Sequence, residues 1–293
     1  MNQLNPKRNN ETRGLVLAVT SVICFAITST LLSYLNSNYG VDGWVASAYR
    51  AAVGLMIIAA VQSKTGKLQI THIISNRLLL TRGLIGGATI PLYYMCIIEL
   101  GPGRAGMIGG SYPLFAAVFA MFLLREAIKQ SYFAYITLAL IGLMLVFADN
   151  GINNSKPFYD VLAIIGAVAA GFCVVMIRHL RHSETTSTIF ASQCIFTLII
   201  TIVVAKDRLI LYDMQALGLV LLAAITVVSG QLTLTESFRH IDVAKGSTLQ
   251  MLTPAVTVLL SALLIDEHFS VLELTGGTVI LFASYRIVIS RHP

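Results

Sequence analysis

Hydrophobic residues in this chain come in long unbroken runs, without the alternation of a half-buried strand or the stripe of a soluble amphipathic helix. Ten such runs follow one another, at 14–35, 44–62, 78–98, 105–124, 131–148, 160–177, 187–205, 215–235, 246–265 and 271–289. Each can cross a hydrocarbon core of ~30 Å as an α-helix, the structure that satisfies every backbone polar group within its own segment. The connecting segments, about 5 to 15 residues each, are too short to hold a soluble domain. A soluble helical protein would need polar faces that these segments lack. The pattern therefore predicts an all-α integral membrane protein of ten transmembrane helices.

Composition agrees. The 293 residues are 56% apolar and 12% charged, with mean hydropathy +0.78, against about 25% charged in soluble domains. Met1 to Arg13 is polar and basic. The apolar run after it has full spanning length and no small-residue cleavage pattern, so it is expected to stay as the first helix. Cys24, Cys96, Cys173 and Cys194 all fall inside predicted spans. They lack ligand spacing and read as small core residues, so no disulfide, metal or cofactor is expected.

The net charge of +6 is distributed by side and does not point to nucleic acid. With both termini cytoplasmic, the inner side holds Lys7, Arg8, Arg13, Lys64, Lys67, Arg77, Arg82, Arg125, Lys129, Arg178, Arg181, Arg239, Lys245, Arg286 and Arg291, which is fifteen. The outer side holds four: Arg104, Lys156, Lys206 and Arg208. Arg50 lies within a span. This positive-inside bias supports an even number of spans and a multi-pass location, with the bacterial inner membrane as the expected one. The expected partners are a lipid bilayer and a small-molecule substrate; a homodimer is left open.

Two stretches match across the chain. Residues 104–126, "RAGMIGGSYPLFAAVFAMFLLRE", and 245–267, "KGSTLQMLTPAVTVLLSALLIDE", have equal length, begin on a basic residue and end on Glu126 and Glu267. Both have proline as tenth residue, Pro113 and Pro254, at an offset of 141 residues. The chain thus divides into two five-helix repeats, 1–150 and 151–293. Five is odd, so the second repeat enters the membrane from the opposite side, which makes the repeat inverted. Pro113 and Pro254 then fall near the bilayer midplane, where they free the carbonyls of Gly109 and Gln250. Broken backbone at that depth is tolerated where it lines a polar cavity or packs on protein, and paired interruptions point to a midplane substrate site. The glycines of Gly106-x-x-x-Gly110 and Gly83-x-x-x-Gly87 also fit simple close packing of helices.

"RGLIGGATIPLYYMCIIELGPGRAGMIGGSYPLFAAVFAMFLLREAI" resembles the third and fourth helices of the drug/metabolite transporter superfamily, in its EamA-type ten-helix branch. "AKGSTLQMLTPAVTVLLSALLIDE" repeats that pattern, and Arg50 in "AYRAAVG" also belongs to it. The resemblance covers essentially the whole chain. It implies a secondary carrier with a central cavity walled by helices one to four and six to nine, with helices five and ten as outer scaffold. Family substrates include amino acids, other small metabolites, drugs, S-adenosylmethionine and sugar conjugates. Two departures stand out. "LIDEHF" lacks the glycine many members carry before the glutamate, and Ser192 and Gln193 stand near the counterpart of Arg50, so the two halves cannot bind substrate symmetrically.

Enzyme signatures do not hold up. "GPGRAG" fits G-x-G-x-x-G but lies between two spans with no strand before it. "AKGST" inverts the Lys and Gly order of a P-loop, and "GGSY" has no histidine base within a span. Arg50 is the charge placed well inside a span, a functional candidate by default, unless it snorkels to the outer interface beside Trp44 and Tyr49. Its planar fork suits a carboxylate or phosphate. Tyr93, Tyr94 and Tyr112 join it as amphipathic wall candidates. Ser111, Gln193, Ser229, Gln231, Gln250 and Thr253 fall near mid-depth, where the glutamines could instead pair across helices. Thr20, Cys24 and Thr28 form a mildly polar stripe. No acidic residue falls mid-span, and Glu236 reads as a structural partner of Arg239, so facilitated diffusion or exchange stands beside proton antiport. The expected activity is export of amino acids or related metabolites. Uptake of a nucleoside-type metabolite such as S-adenosylmethionine and a non-transporting scaffold or receptor-like role remain as alternatives.

Overall fold

A computed structural model describes residues 6–62, 70–124, 131–148, 156–181, 183–208, 213–241, 246 and 249–290. The expected inner-side charges Lys64, Lys67, Arg125, Lys129, Lys245 and Arg291, with the repeat's closing Glu126, lie outside these residues.

Every regular element among the described residues is helical. The first half holds α1 (Pro6–Tyr39), α2 (Gly43–Gln62), α3 (Ile70–Ser75), α4 (Arg77–Leu100), α5 (Pro102–Gly109), α6 (Tyr112–Leu124) and α7 (Ser131–Ala148). The second holds α8 (Pro157–Leu180), α9 (Thr186–Ala205), α10 (Met214–Ser237), α11 (Leu252–Leu264) and α12 (Val271–Ser290). Six of them, α1, α2, α4, α8, α9 and α10, are long and apolar enough to cross a membrane. Their ends carry the expected caps. Asn76 accepts hydrogen bonds from the backbone N–H groups of Leu78 and Leu79, Thr185 from Thr188 and Asp213 from Ala216, each occupying a donor that the first helical turn leaves without a partner.

The predicted fourth and ninth spans are interrupted just before their prolines. The chain turns at Gly110 and Ser111, before Pro113, which is the second residue of α6. The partner break is at Met251, before Pro254, the third residue of α11. Each proline starts a helix instead of kinking one. The first turn of a helix has N–H groups with no intrahelical acceptor, so a missing N–H there removes nothing. The turn closes with Gly110 N–H donating to Gly106 O at 2.8 Å and Ser111 N–H to Ile108 O at 3.1 Å.

The main packing joins the two halves. α1 packs on α10 and α11, α2 on α9 and α10, α4 on α8 and α9, α6 on α8, α5 on α11, and α7 on α12. At the α4–α9 crossing the small-residue pattern has a packing role. A Cβ on Gly87 would lie 2.8 Å from the Thr197 backbone nitrogen, and one on Gly83 would lie 2.9 Å from Ser192 O. Lipid tails are as apolar as the side chains, so such backbone-to-backbone fit drives association between helices.

Candidate functional site

The two halves enclose a cavity of about 280 Å³. Its wall is built from α1, α2, α4, α5, α6, α8, α9, α10 and α11 with the turns that precede α6 and α11; among the described residues α7 and α12 contribute none. Arg50, Tyr94, Tyr112, Gln193, Gln231, Gln250, Thr253 and Pro254 are all on this wall, together with Tyr93. Pro113 is placed by its backbone, next to Tyr112. Ser111 and Ser229 are off the wall. Ser111 is fully buried and donates to Ile108 O at 2.7 Å, so its hydroxyl satisfies the turn that carries it. Of the predicted polar stripe only Thr28 reaches the cavity; Thr20 is exposed and donates to Val16 O at 2.9 Å.

The glutamines are held by partners across helices. Gln250 Nε2 donates to Ala18 O at 3.2 Å and also to the Ser21 hydroxyl, which ties the turn before α11 to α1. Gln193 Nε2 donates to Gly86 O at 3.2 Å, and its oxygen accepts from Arg82 Nη2 at 3.0 Å. Gln231 Oε1 accepts from Arg50 Nη2 at 3.4 Å. Arg50 is 5% exposed. It turns inward, with its guanidinium carbon 6.0 Å from the centre of the Tyr94 ring, and does not snorkel to the outer interface.

Arg82 corrects the charge count. It was expected on the inner face, yet it is 3% exposed and lines the cavity. Its side chain lies over Gly86, where a Cβ would collide with Nη1. Nε and Nη1 have no hydrogen-bond partner. Arg50 is therefore not alone. The signal was present in "RGLIGG", since small residues one turn beyond an arginine leave room for it to fold back along the helix. Its position near the start of a span concealed it.

Charged side chains pair at both ends of the helices, away from the cavity wall. At the predicted outer end Arg104 donates from Nε and Nη2 to the two oxygens of Asp160, both at 3.0 Å, and from Nη1 to Glu273 at 3.1 Å. Beside it Glu267 accepts from the Gly103 N–H with both oxygens at 3.3 Å. Burial pushes the Glu267 carboxyl above its ordinary value and nearby Glu273 adds to this, while Ser261 and the Gly103 N–H pull it down. Lys156 pairs with Glu99 at 2.7 Å. At the predicted inner end Glu184 meets His72 at 2.7 Å and Asn76 at 3.2 Å. Glu236 lies 3.6 Å from Arg239 and also takes a hydrogen bond from Thr186 at 3.4 Å.

Such a cavity suits binding. Among the described residues its wall carries two guanidinium groups, three tyrosines and several amides and hydroxyls, but no carboxylate. The pattern of the EamA-like transporter family matches the chain twice, over residues 12–148 and 157–289. The chain is similar to proteins described as "Pseudopaline exporter CntI" in two strains of Pseudomonas aeruginosa. Each is 24% identical over 291 residues, covering 95% of this chain and 96% of the relative. A crystal structure aligns with a TM-score of 0.66 at 18% identity, covering 94% of this chain and 97% of that one.

Proposed function

Because this chain belongs to the EamA-like transporter family, we propose that it is a secondary transporter that exports amino acids or related small metabolites by alternating access. Its long apolar helices make it a multi-pass integral membrane protein. The observation that carries the transport reading is a mostly apolar cavity with two arginines and several amides on its wall, held between two halves of the chain at the level of two helix breaks. Substrate sites of carriers are built at such repeat interfaces from interrupted helices. Export is supported by the exporter description of the relatives.

The helix pairing supports two repeats of five spans. Exchanging each span for its counterpart five places on turns α1–α10 into α8–α4, α4–α9 into α10–α2 and α1–α11 into α8–α6, all of which occur. The pairs α2–α9, α5–α11 and α7–α12 map onto themselves. In this reading the protein has ten spans, both termini face the cytoplasm, the membrane is the bacterial inner membrane, and Arg104 with its carboxylates shuts the outer end.

Purified protein in liposomes, loaded with a mixture of metabolites, tests the proposal. Saturable efflux of particular solutes is expected. Liposomes that retain every solute as well as protein-free ones do would reassign the fold to a scaffold, and strictly inward flux would make it an uptake carrier. Cysteines at Ser183 and Asn38 test the topology: impermeant reagents should reach the first only from the cytoplasmic side and the second only from outside.

A further inference from the structure

We propose that the cavity takes solutes carrying two separated acidic groups, one held by Arg50 and the other by Arg82; this rests on the carrier reading and specifies its cargo. Both arginines are buried on the wall, at 5% and 3% exposure. Arg50 donates to the Gln231 oxygen at 3.4 Å and lies against Tyr94, and Arg82 donates to the Gln193 oxygen at 3.0 Å, so neither meets a carboxylate among the contacts described. Holding a guanidinium away from water with no counter-charge is strongly unfavourable. Five of the described acids pair with other groups. Asp160 and Glu273 are on Arg104, Glu99 is on Lys156, and Glu184 and Glu236 are paired at the other end. Arg82 Nε and Nη1 are buried without acceptors, and the wall of the cavity that Arg82 lines offers no carboxylate among the described residues. A ligand that brings negative charge supplies what the wall lacks.

Geometry sets the number of acidic groups. Arg50 lies against Tyr94, while the Arg82 guanidinium lies over Gly86. Eight residues of α4 separate Gly86 from Tyr94, a rise of about 12 Å along the helix axis. In the proposed site the two cations sit on these different levels, so that one carboxylate or phosphate meets only one of them. Two carboxylates, each in a fork of charge-assisted hydrogen bonds, can meet both when the ligand holds them on the order of 5–10 Å apart. Tyr93, Tyr94 and Tyr112 offer aromatic faces and hydroxyls to the stem between them.

The test uses the purified full chain in detergent, with thermal stabilisation read against ligand concentration. The probes are unbranched dicarboxylates of five to eight carbons (about the required span at ~1.3 Å per bond), monocarboxylates of the same lengths, sodium chloride and inorganic phosphate. Dicarboxylates should bind about tenfold or more tightly than matched monocarboxylates. Arg50→Gln and Arg82→Gln should each reduce them to the monocarboxylate level. Arg82→Lys is the companion variant should the glutamine protein fail to fold, and it should recover only part of the affinity. Equal binding of mono- and dicarboxylates, stabilisation by chloride or phosphate alone, or none by any dicarboxylate would overturn the inference. Saturable liposome flux of a neutral amino acid without dicarboxylate binding would overturn it while leaving the carrier reading intact.

Discussion

The Arg104 guanidinium grips both carboxylate oxygens of Asp160 at 3.0 Å, joining the start of α5 in the first half to the first turn of α8 in the second. The two side chains are 11% and 7% exposed, and Glu273 on α12 occupies a third nitrogen of the same arginine. Breaking a buried pair of this kind on one side costs about 3–5 kcal/mol, because the other charge stays buried. Asp160→Asn should therefore lower the unfolding temperature in detergent and open the outer end, read as faster labelling of a cysteine placed at Tyr93. Full stability with unchanged labelling would show that the clamp does not hold the outer end together.

Glu267 makes the same end sensitive to pH. Burial raises its carboxyl, so the folded protein holds this proton more tightly than the unfolded chain does. The stability it adds is complete below the ordinary carboxylate pKa and is lost as pH rises through the raised value. The unfolding temperature should fall across that interval. Glu267→Gln should flatten this part of the profile, whereas the same slope in the variant would assign it to other groups.

Arg50→Lys keeps the positive charge and removes the planar fork. Transport of an acidic solute should fall by about tenfold, with membrane insertion and melting temperature near those of the parent. Initial rates in liposomes over a range of solute concentrations give the answer. Unchanged affinity and rate would remove Arg50 from the binding site.

The prolines begin helices at two matched breaks, and their replacement tests whether the breaks matter. Pro113→Ala and Pro254→Ala supply a better helix former and an N–H, which lets α5 run on into α6 and the 249–250 turn run on into α11. Stability should stay level or rise while transport falls, in both variants. Melting temperature and initial rate moving together would mean that the prolines serve packing only.

Much of this was legible from residue order because a bilayer imposes simple rules. Apolar run length predicts the long helices, since backbone polar groups have no partner in lipid except within the helix. Proline and glycine mark the two breaks, since neither continues a helix well. Polar side chains such as Arg50, Gln193, Gln231 and Gln250 stand out in apolar runs, and all four are on the cavity wall.

Rotation and reach were decided by the tertiary structure. A few residues of helix turn a side chain from cavity to neighbour, so Ser111 and Ser229 left the wall that Tyr112 and Gln231 line. Arg82 sits near a helix start, where a long side chain can reach water or fold inward, and the space over Gly86 settled it inward. Arg104, Asp160 and Glu273 are far apart in the chain, and only the packing of α5, α8 and α12 brings their charges within hydrogen-bond distance. Run length and helix breaks are local properties of the chain. Which way a side chain faces, and what meets it there, depends on neighbours that only the packed helices supply.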